Sequence, residues 1–252
     1  STWQKRAASW RGCWPESCER KRTMPPIEQV LFQVSIWLLP ALFAITLHEA
    51  AHGYAADLLG DDTARRFGRI SMNPLNHIDP FGTILLPGLL LFTGAPFLFG
   101  YAKPVPIDFR RFRSPRRDMM WVAAAGPGMN LALALLAAFL YHGTGFLPDR
   151  VAPWAQQNLA NAIELNVLLA VFNMIPLPPL DGGRVAVGLL PNSLALPLAR
   201  LEPFGMFILL GAMFLLPMLG RNLNLDLDII GLLVAGPTDA IINLIVQIAG
   251  LR

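Results

Sequence analysis

The stretch LLPALFAITLHEAAHGYAADLL, residues 38–59, decides the fold of this chain. It is long enough to cross a lipid bilayer as a helix, because about 20 predominantly apolar residues suffice for a crossing. It also contains His48, Glu49 and His52, and ionisable side chains inside a membrane helix are costly unless they share a partner. The stretch therefore predicts a membrane helix that carries a functional site.

The composition indicates that the rest of the chain is also built for a membrane. Of the 252 residues, 54% are hydrophobic and only 15% are charged, whereas soluble domains carry about 25% charged residues. Five segments are long and apolar enough to span the bilayer: 28–59, 119–141, 158–175, 203–219 and 227–249. We therefore predict an all-α polytopic membrane protein with about five to six transmembrane helices.

The number of spans depends on a sixth apolar segment, 81–99, which glycines and prolines interrupt. Irregular backbone at membrane depth is tolerated only where protein or water covers it, so we predict that this segment re-enters the membrane instead of crossing it. With re-entry, 12 of the 14 basic residues from residue 24 onward lie on the cytoplasmic side, as the positive-inside rule requires. The preceding loop, 63–80, could form a short β-hairpin.

The net charge of +3 comes from the first 23 residues of the chain. Six basic and two acidic side chains there give +4, so the remainder carries −1, and we expect no nucleic-acid partner. Residues 1–23 lack the apolar core of a signal peptide, and their cysteines, Cys13 and Cys18, have no neighbours to complete a zinc site. We expect Met24 to be the natural start, with residues 1–23 extraneous or disordered.

Residues 48–52 read His-Glu-Ala-Ala-His, an H-E-x-x-H motif. A helix places residues i and i+4 on one face, so both imidazoles can reach a single metal ion. Two imidazoles and an oxygen ligand suit zinc, which keeps a fourth position open for water at catalytic sites. Zinc lowers the pKa of such a water to about 7, and Glu49 stands where it can take the proton.

A third metal ligand has to come from elsewhere in the chain. Asp181 is favoured, because three prolines in 176–179 end the preceding helix and the following Gly182 and Gly183 permit close backbone approach. The predicted topology also puts Asp181 on the same side of the membrane as His52. On the residues alone the alternatives are His77, His142 and Glu164.

Three motifs together resemble the site-2 protease family of intramembrane metalloproteases. They are HEAAH, GPGMN at 126–130 and NMIPLPPLDGG at 173–183, and the resemblance covers most of residues 24–252. It implies one zinc ion per chain, held by His48, His52 and Asp181, with water activated by zinc and Glu49.

Two asparagines in these motifs are further candidates for the site. The resemblance implies that Asn173 binds substrate or the oxyanion. Asn130 belongs to the G-P-x-x-N element, for which substrate contact and tight helix packing are both open interpretations.

The resemblance implies an enzyme, an intramembrane zinc metalloprotease in the compact form without a PDZ or nucleotide-binding module, with residues 24–252 as its domain. Its partners would be the lipid bilayer and a transmembrane protein substrate, cleaved in or near its membrane segment. We expect a multi-pass protein of a prokaryotic plasma membrane, with the active site near the cytoplasmic side. The alternative is a metal-ion or solute transporter with an intramembrane His/Asp site, although a carrier does not need Glu49 as a base.

Overall fold

A computed structural model describes residues 26–71, 105–223 and 228–251. Across these ranges the chain is mostly helical and contains no β-strand. The helices are α1 Pro26–Leu58, α2 Thr63–Arg66, α3 Pro115–Tyr141, α4 Ala152–Asn173, α5 Asp181–Leu189, α6 Asn192–Arg200, α7 Glu202–Leu210, α8 Leu216–Leu223 and α9 Ile229–Ile248. A π-helical turn joins α7 to α8, and tighter 3-10 turns lie at Phe109–Arg111 and His142–Phe146.

Four helical stretches among the described residues are long and apolar enough to cross a membrane: Leu31–Leu58, Pro115–Phe146, Glu202–Gly220 and Ile229–Ile248. They confirm an all-helical membrane protein. The predicted span at 158–175 does form a helix, α4, but it is not among the four, because asparagine and glutamine side chains lower its hydropathy.

Three polar side chains of α4, those of Trp154, Asn161 and Asn166, form hydrogen bonds with neighbouring helices of the bundle. Helix α4 packs against α1, α3 and α9. Asn161 Nδ2 donates to the Ile36 carbonyl at 2.9 Å, and Trp154 Nε1 donates to Ser35 Oγ at 2.9 Å. Hydrogen bonds between helices are a main source of cohesion in lipid, where burial of apolar surface contributes little.

An apolar cluster fills the space between α3, α4 and α9. Helix α3 contributes alanines, which let the helix backbones approach closely. Residues of this cluster that are at most 7% exposed include Ala134, Ala137, Ala138, Ile163, Val167, Ile242 and Val246. This packing fixes α3 against α4, and therefore fixes the two helices that support the site described below.

The chain unwinds between α4 and α5, as the prolines of 176–179 require. Gly182 and Gly183 let the first turn of α5 lie directly on this unwound stretch. A Cβ at Gly182 would overlap the backbone of Met174 and Ile175, and one at Gly183 would overlap the backbone of 177–178. The close approach holds Asp181, the first residue of α5, against the end of α4.

Several predictions concern residues outside the described ranges. The segment 1–23, the predicted re-entrant segment 81–99 and the candidate ligand His77 all lie there. Of the predicted hairpin 63–80, only residues up to 71 are described, and their first four residues form the helical turn α2 instead of a strand. Asp61 stabilises the entry to this turn, because its carboxylate accepts the N–H of Thr63, two residues further on, at 3.0 Å.

Candidate active site and metal centre

Helices α1 and α5 bring His48, His52 and Asp181 together. His48 Nε2 lies 3.1 Å from His52 Nε2 and 3.1 Å from Asp181 Oδ2, and His52 Nε2 lies 3.4 Å from the same carboxylate oxygen. All three residues are buried. The two imidazoles and the carboxylate therefore face one common point.

The outer ring nitrogens of the histidines show where their protons are. His48 Nδ1 lies 2.5 Å from Asn130 Oδ1, and His52 Nδ1 lies 2.7 Å from the Val122 carbonyl oxygen. Both partners are acceptors, so each Nδ1 donates, and each ring in its neutral form directs the lone pair of Nε2 inward. Asp181 Oδ2 is buried and has no hydrogen-bond partner among the described residues. Three buried acceptor atoms that converge on one point fit a bound cation, which would offset the cost of their burial.

The orientation of the Asn130 amide is fixed by two further contacts. Its Nδ2 donates to the Ala44 carbonyl at 3.2 Å and to Asn166 Oδ1 at 2.9 Å. Asn166 Nδ2 in turn donates to the Ala162 carbonyl at 2.8 Å. Because the backbone carbonyls at both ends only accept, the chain of amides has one direction and presents Asn130 Oδ1 to His48.

The arrangement fits a zinc ion. Tetrahedral zinc with nitrogen and oxygen ligands at about 2.0–2.1 Å places neighbouring ligand atoms about 3.3 Å apart. The three observed separations lie between 3.1 and 3.4 Å. Two imidazoles and one carboxylate are also a ligand set of catalytic zinc, with a fourth position left for water. The hydrogen bonds on both Nδ1 atoms hold the rings in the orientation that ligation needs.

Gly126 of α3 provides the space for both imidazoles. A Cβ at this position would lie 2.5 Å from His52 Nε2 and 2.6 Å from His48 Cε1. We expect Gly126→Ala to displace the rings and to lower zinc affinity at least about tenfold, as changes in the groups that orient zinc ligands do. Competition with a chromophoric chelator on the purified full chain measures this affinity.

Gly128 offers a matched control on the same helix. No atom lies within 4 Å of a Cβ built there. Gly128→Ala should therefore keep the parental zinc affinity, and alanine is the better helix former. A Gly126→Ala variant that binds zinc as tightly as the parent would contradict the role of Gly126.

A cavity of about 220 Å³ opens beside the three candidate ligands, and both Glu49 and Asn173 line it. Glu49 Oε2 accepts the backbone N–H of Val105 at 3.2 Å. Asn173 is the last residue of α4, and its Nδ2 donates to the Leu169 carbonyl at 3.0 Å. The structure thus brings Glu49 and Asn173 to the ligand cavity, whereas Asn130 is fully buried behind His48.

Two of the three alternative third ligands, His142 and Glu164, lie among the described residues, and neither joins this group. His142 lies beyond the far end of α3, where its Nε2 is 2.7 Å from the Ala249 carbonyl oxygen. Glu164 is half-buried on α4 and is not part of the metal-ligating group found among the described residues.

Two groups that support the site are missing from the sequence-based predictions, Asn166 and the Val122 carbonyl. Asn166 carries a usable signal, because an asparagine within the apolar run of α4 needs a partner inside the bundle. The Val122 carbonyl carries none, because every residue has a carbonyl and only the packing of α3 against α1 selects this one.

Known proteins with similar sequences are named as metalloproteases. A Bacillus subtilis protein, "Putative zinc metalloprotease YwhC", is 38% identical over 187 residues, which cover 72% of this chain and 80% of that relative. The Mycobacterium tuberculosis H37Rv protein "Putative zinc metalloprotease Rip2" is 31% identical over 178 residues, or 71% of this chain and 66% of the relative. A Mycolicibacterium smegmatis protein with the same name is 28% identical over 203 residues, or 79% of this chain and 73% of that relative. No family model matches the chain, and no solved structure matches it.

Proposed function

The chain belongs to the site-2 protease family of intramembrane zinc metalloproteases, and on that premise we propose that it hydrolyses peptide bonds in or near the transmembrane segments of other membrane proteins. The observation that carries the proposal is the convergence of His48, His52 and Asp181 beside a cavity that Glu49 lines. A zinc-ligand set next to an acid–base residue is what metal-assisted hydrolysis requires.

We assign His48, His52 and Asp181 as the ligands of one zinc ion. When bound, zinc polarises a water molecule and the substrate carbonyl. For Asn130 we propose a positioning role in place of substrate contact, because hydrogen bonds within the bundle engage both its amide oxygen and its amide nitrogen. With the Val122 carbonyl it holds the imidazoles in place before the metal arrives.

Glu49 is the proposed general base and general acid. It directly follows His48 in α1, and its side chain lines the same cavity. Its carboxylate would accept a proton from the attacking water and return it to the leaving amine.

Asn173 is the proposed substrate-binding residue. Its side-chain nitrogen carries two protons, and the Leu169 carbonyl accepts one of them. The second proton can be donated to the substrate carbonyl oxygen as negative charge develops there. The position of Asn173 on the wall of the ligand cavity supports this role.

The membrane arrangement of the site is also a proposal. Four membrane-length helices belong to the described residues, and we propose that α4 crosses as a fifth, interior helix. We further propose that 81–99 re-enters the membrane and that residues 24–252 form one protease domain. The concentration of basic residues in the loops flanking the site supports a cytoplasmic orientation in a prokaryotic plasma membrane.

A transporter with an intramembrane His/Asp site would use the same three ligands, but two observations favour the protease. Glu49 lines the cavity beside the ligands, where a carrier does not need a base. The similar proteins are named as metalloproteases.

The position of the cleaved bond tests the proposed substrate class. The full chain, loaded with zinc, is reconstituted in liposomes with a reporter protein that has a single transmembrane helix. We expect fragments whose new ends map by mass spectrometry within that helix or in its flanking residues. Zinc-stripped protein serves as the control, and cleavage confined to the soluble domain of the reporter would refute the proposal.

A further inference from the structure

Asp61 is a buried carboxylate that the proposed hydrolysis does not use. It lies just after α1, and its exposed fraction is 0%. Its Oδ1 accepts from the N–H and from the hydroxyl of Thr63. Its Oδ2 accepts the N–H of Asp108 at 2.7 Å. A buried charge needs such partners, and the last of them comes from a segment far along the chain.

That segment, residues 105–108, is non-helical and contacts both α1 and the turn that follows α1, and we call it the strap. At one end Asp61 holds the N–H of Asp108, and at the other Glu49 Oε2 accepts the N–H of Val105 at 3.2 Å. Gly53 lies between the two acidic residues in the sequence. A Cβ there would come within 3.2 Å of Val105 Cγ1, so glycine lets the strap lie close to the helix.

The sequence around Val105 leaves a single backbone hydrogen-bond donor. Val105 stands between Pro104 and Pro106, and proline has no backbone N–H. A residue before proline also avoids helical backbone and favours an extended conformation. Val105 therefore supplies the single backbone donor of this tripeptide, and that donor binds Glu49.

We propose that the strap positions the Glu49 carboxylate through the Val105 N–H, and that Asp61 is the positioning residue that keeps the strap in place. A hydrogen bond to one carboxylate oxygen restricts rotation of the group, so the other oxygen keeps one direction. Val105 and Ile107 also line the ligand cavity, so the strap forms part of its wall. The inference rests on the proposed function, because it assumes that Glu49 is the base.

Asp61→Asn tests the proposal in the zinc-loaded full chain. An asparagine can keep its oxygen on Thr63, and its NH2 group then meets the Asp108 N–H, so the strap loses its acceptor. We expect kcat on a transmembrane reporter to fall at least about tenfold, with KM changed less than about twofold and zinc content unchanged. Thr63→Val is the matched control: it removes the hydroxyl donor from the same carboxylate, leaves the strap contact, and should keep kcat within about twofold.

A second pair of variants acts on the strap directly. Val105→Pro removes the N–H, whereas Val105→Ala keeps it, and we expect kcat of the proline variant to be at least about fivefold below that of the alanine variant. The double variant of Asp61→Asn with Val105→Pro should be no slower than the slower single variant, because Asp61 acts on Glu49 only through the Val105 N–H that the proline removes. If the two substitutions acted independently, their fold-losses of kcat would multiply in the double variant.

The proposed role of the strap would be wrong if Asp61→Asn kept the parental kcat, or if the two losses of kcat multiplied in the double variant. If Asp61→Asn fails to fold, the two Val105 variants decide the proposal. Equal kcat values would contradict it, and a kcat of Val105→Pro at least about fivefold below that of Val105→Ala would support it. Glu49→Gln, measured alongside, separates the two proposals. If Glu49→Gln is active, the assignment of Glu49 as general base is wrong. If Glu49→Gln is inactive and Asp61→Asn is fully active, only the strap proposal is wrong.

Discussion

We expect Glu49→Gln to lower kcat for a transmembrane reporter at least about 1,000-fold, within the range that general acid–base catalysis contributes. Glutamine has the size of glutamate and can still accept the Val105 N–H, but it cannot take up a proton. The ligands His48, His52 and Asp181 are untouched, so zinc content should stay at that of the parent. Reporter cleavage in liposomes and elemental analysis of the same preparation measure both quantities.

Glu28→Gln is the control for this variant. Glu28 is an exposed glutamate in the first turn of the same helix, so its loss should leave cleavage and zinc content unchanged. If Glu49→Gln kept more than about a tenth of the parental kcat, the general-base assignment would be wrong.

Asp181→Ala should remove the metal together with the activity. Zinc sites in peptides bind with about 10–16 kcal/mol shared among four ligands, so one ligand contributes about 2.5–4 kcal/mol. We therefore expect zinc affinity to fall about 100- to 1,000-fold. Cleavage should be lost at zinc concentrations that saturate the parent. Chelator competition measures the zinc affinity, and the reporter assay on the same preparation measures cleavage.

Asp118→Asn provides a matched control, because Asp118 is another buried aspartate of the bundle. Its carboxylate accepts the Ser114 N–H at 2.8 Å at the start of α3, and an asparagine oxygen can do the same. This variant should bind zinc like the parent. Unchanged zinc affinity in Asp181→Ala would show that the third ligand is a different residue.

The candidate metal ligands could be predicted because short sequence patterns indicate them. His48 and His52 stand one helical turn apart, so a helix alone brings their imidazoles together. Asp181 is far along the chain, but the prolines before it and the glycines after it mark an unwound segment that can approach another helix. Local patterns therefore favoured Asp181 beside the two histidines, with His77, His142 and Glu164 left open until the family resemblance was considered.

The surroundings of the site could not be predicted in the same way. Average hydropathy does not show which face of a helix is polar, so the hydropathy of α4 did not predict that Asn161 contacts α1 and Asn166 contacts α3. No motif in the sequence of residues 105–108 predicts a place in the site. Their contacts with Glu49 and Asp61 depend on how this segment folds back on α1, which no local pattern records.

The polar inner face of α4 has a consequence for biogenesis. A helix that carries several amides gains little from entering lipid by itself, so α4 is expected to insert in company with α1 and α3. Asn166 meets Asn130, and Asn130 meets His48, only after those helices have come together. The hydrogen bonds that orient His48 are thus expected to form only after insertion and packing of these helices, so a partly inserted chain would lack them.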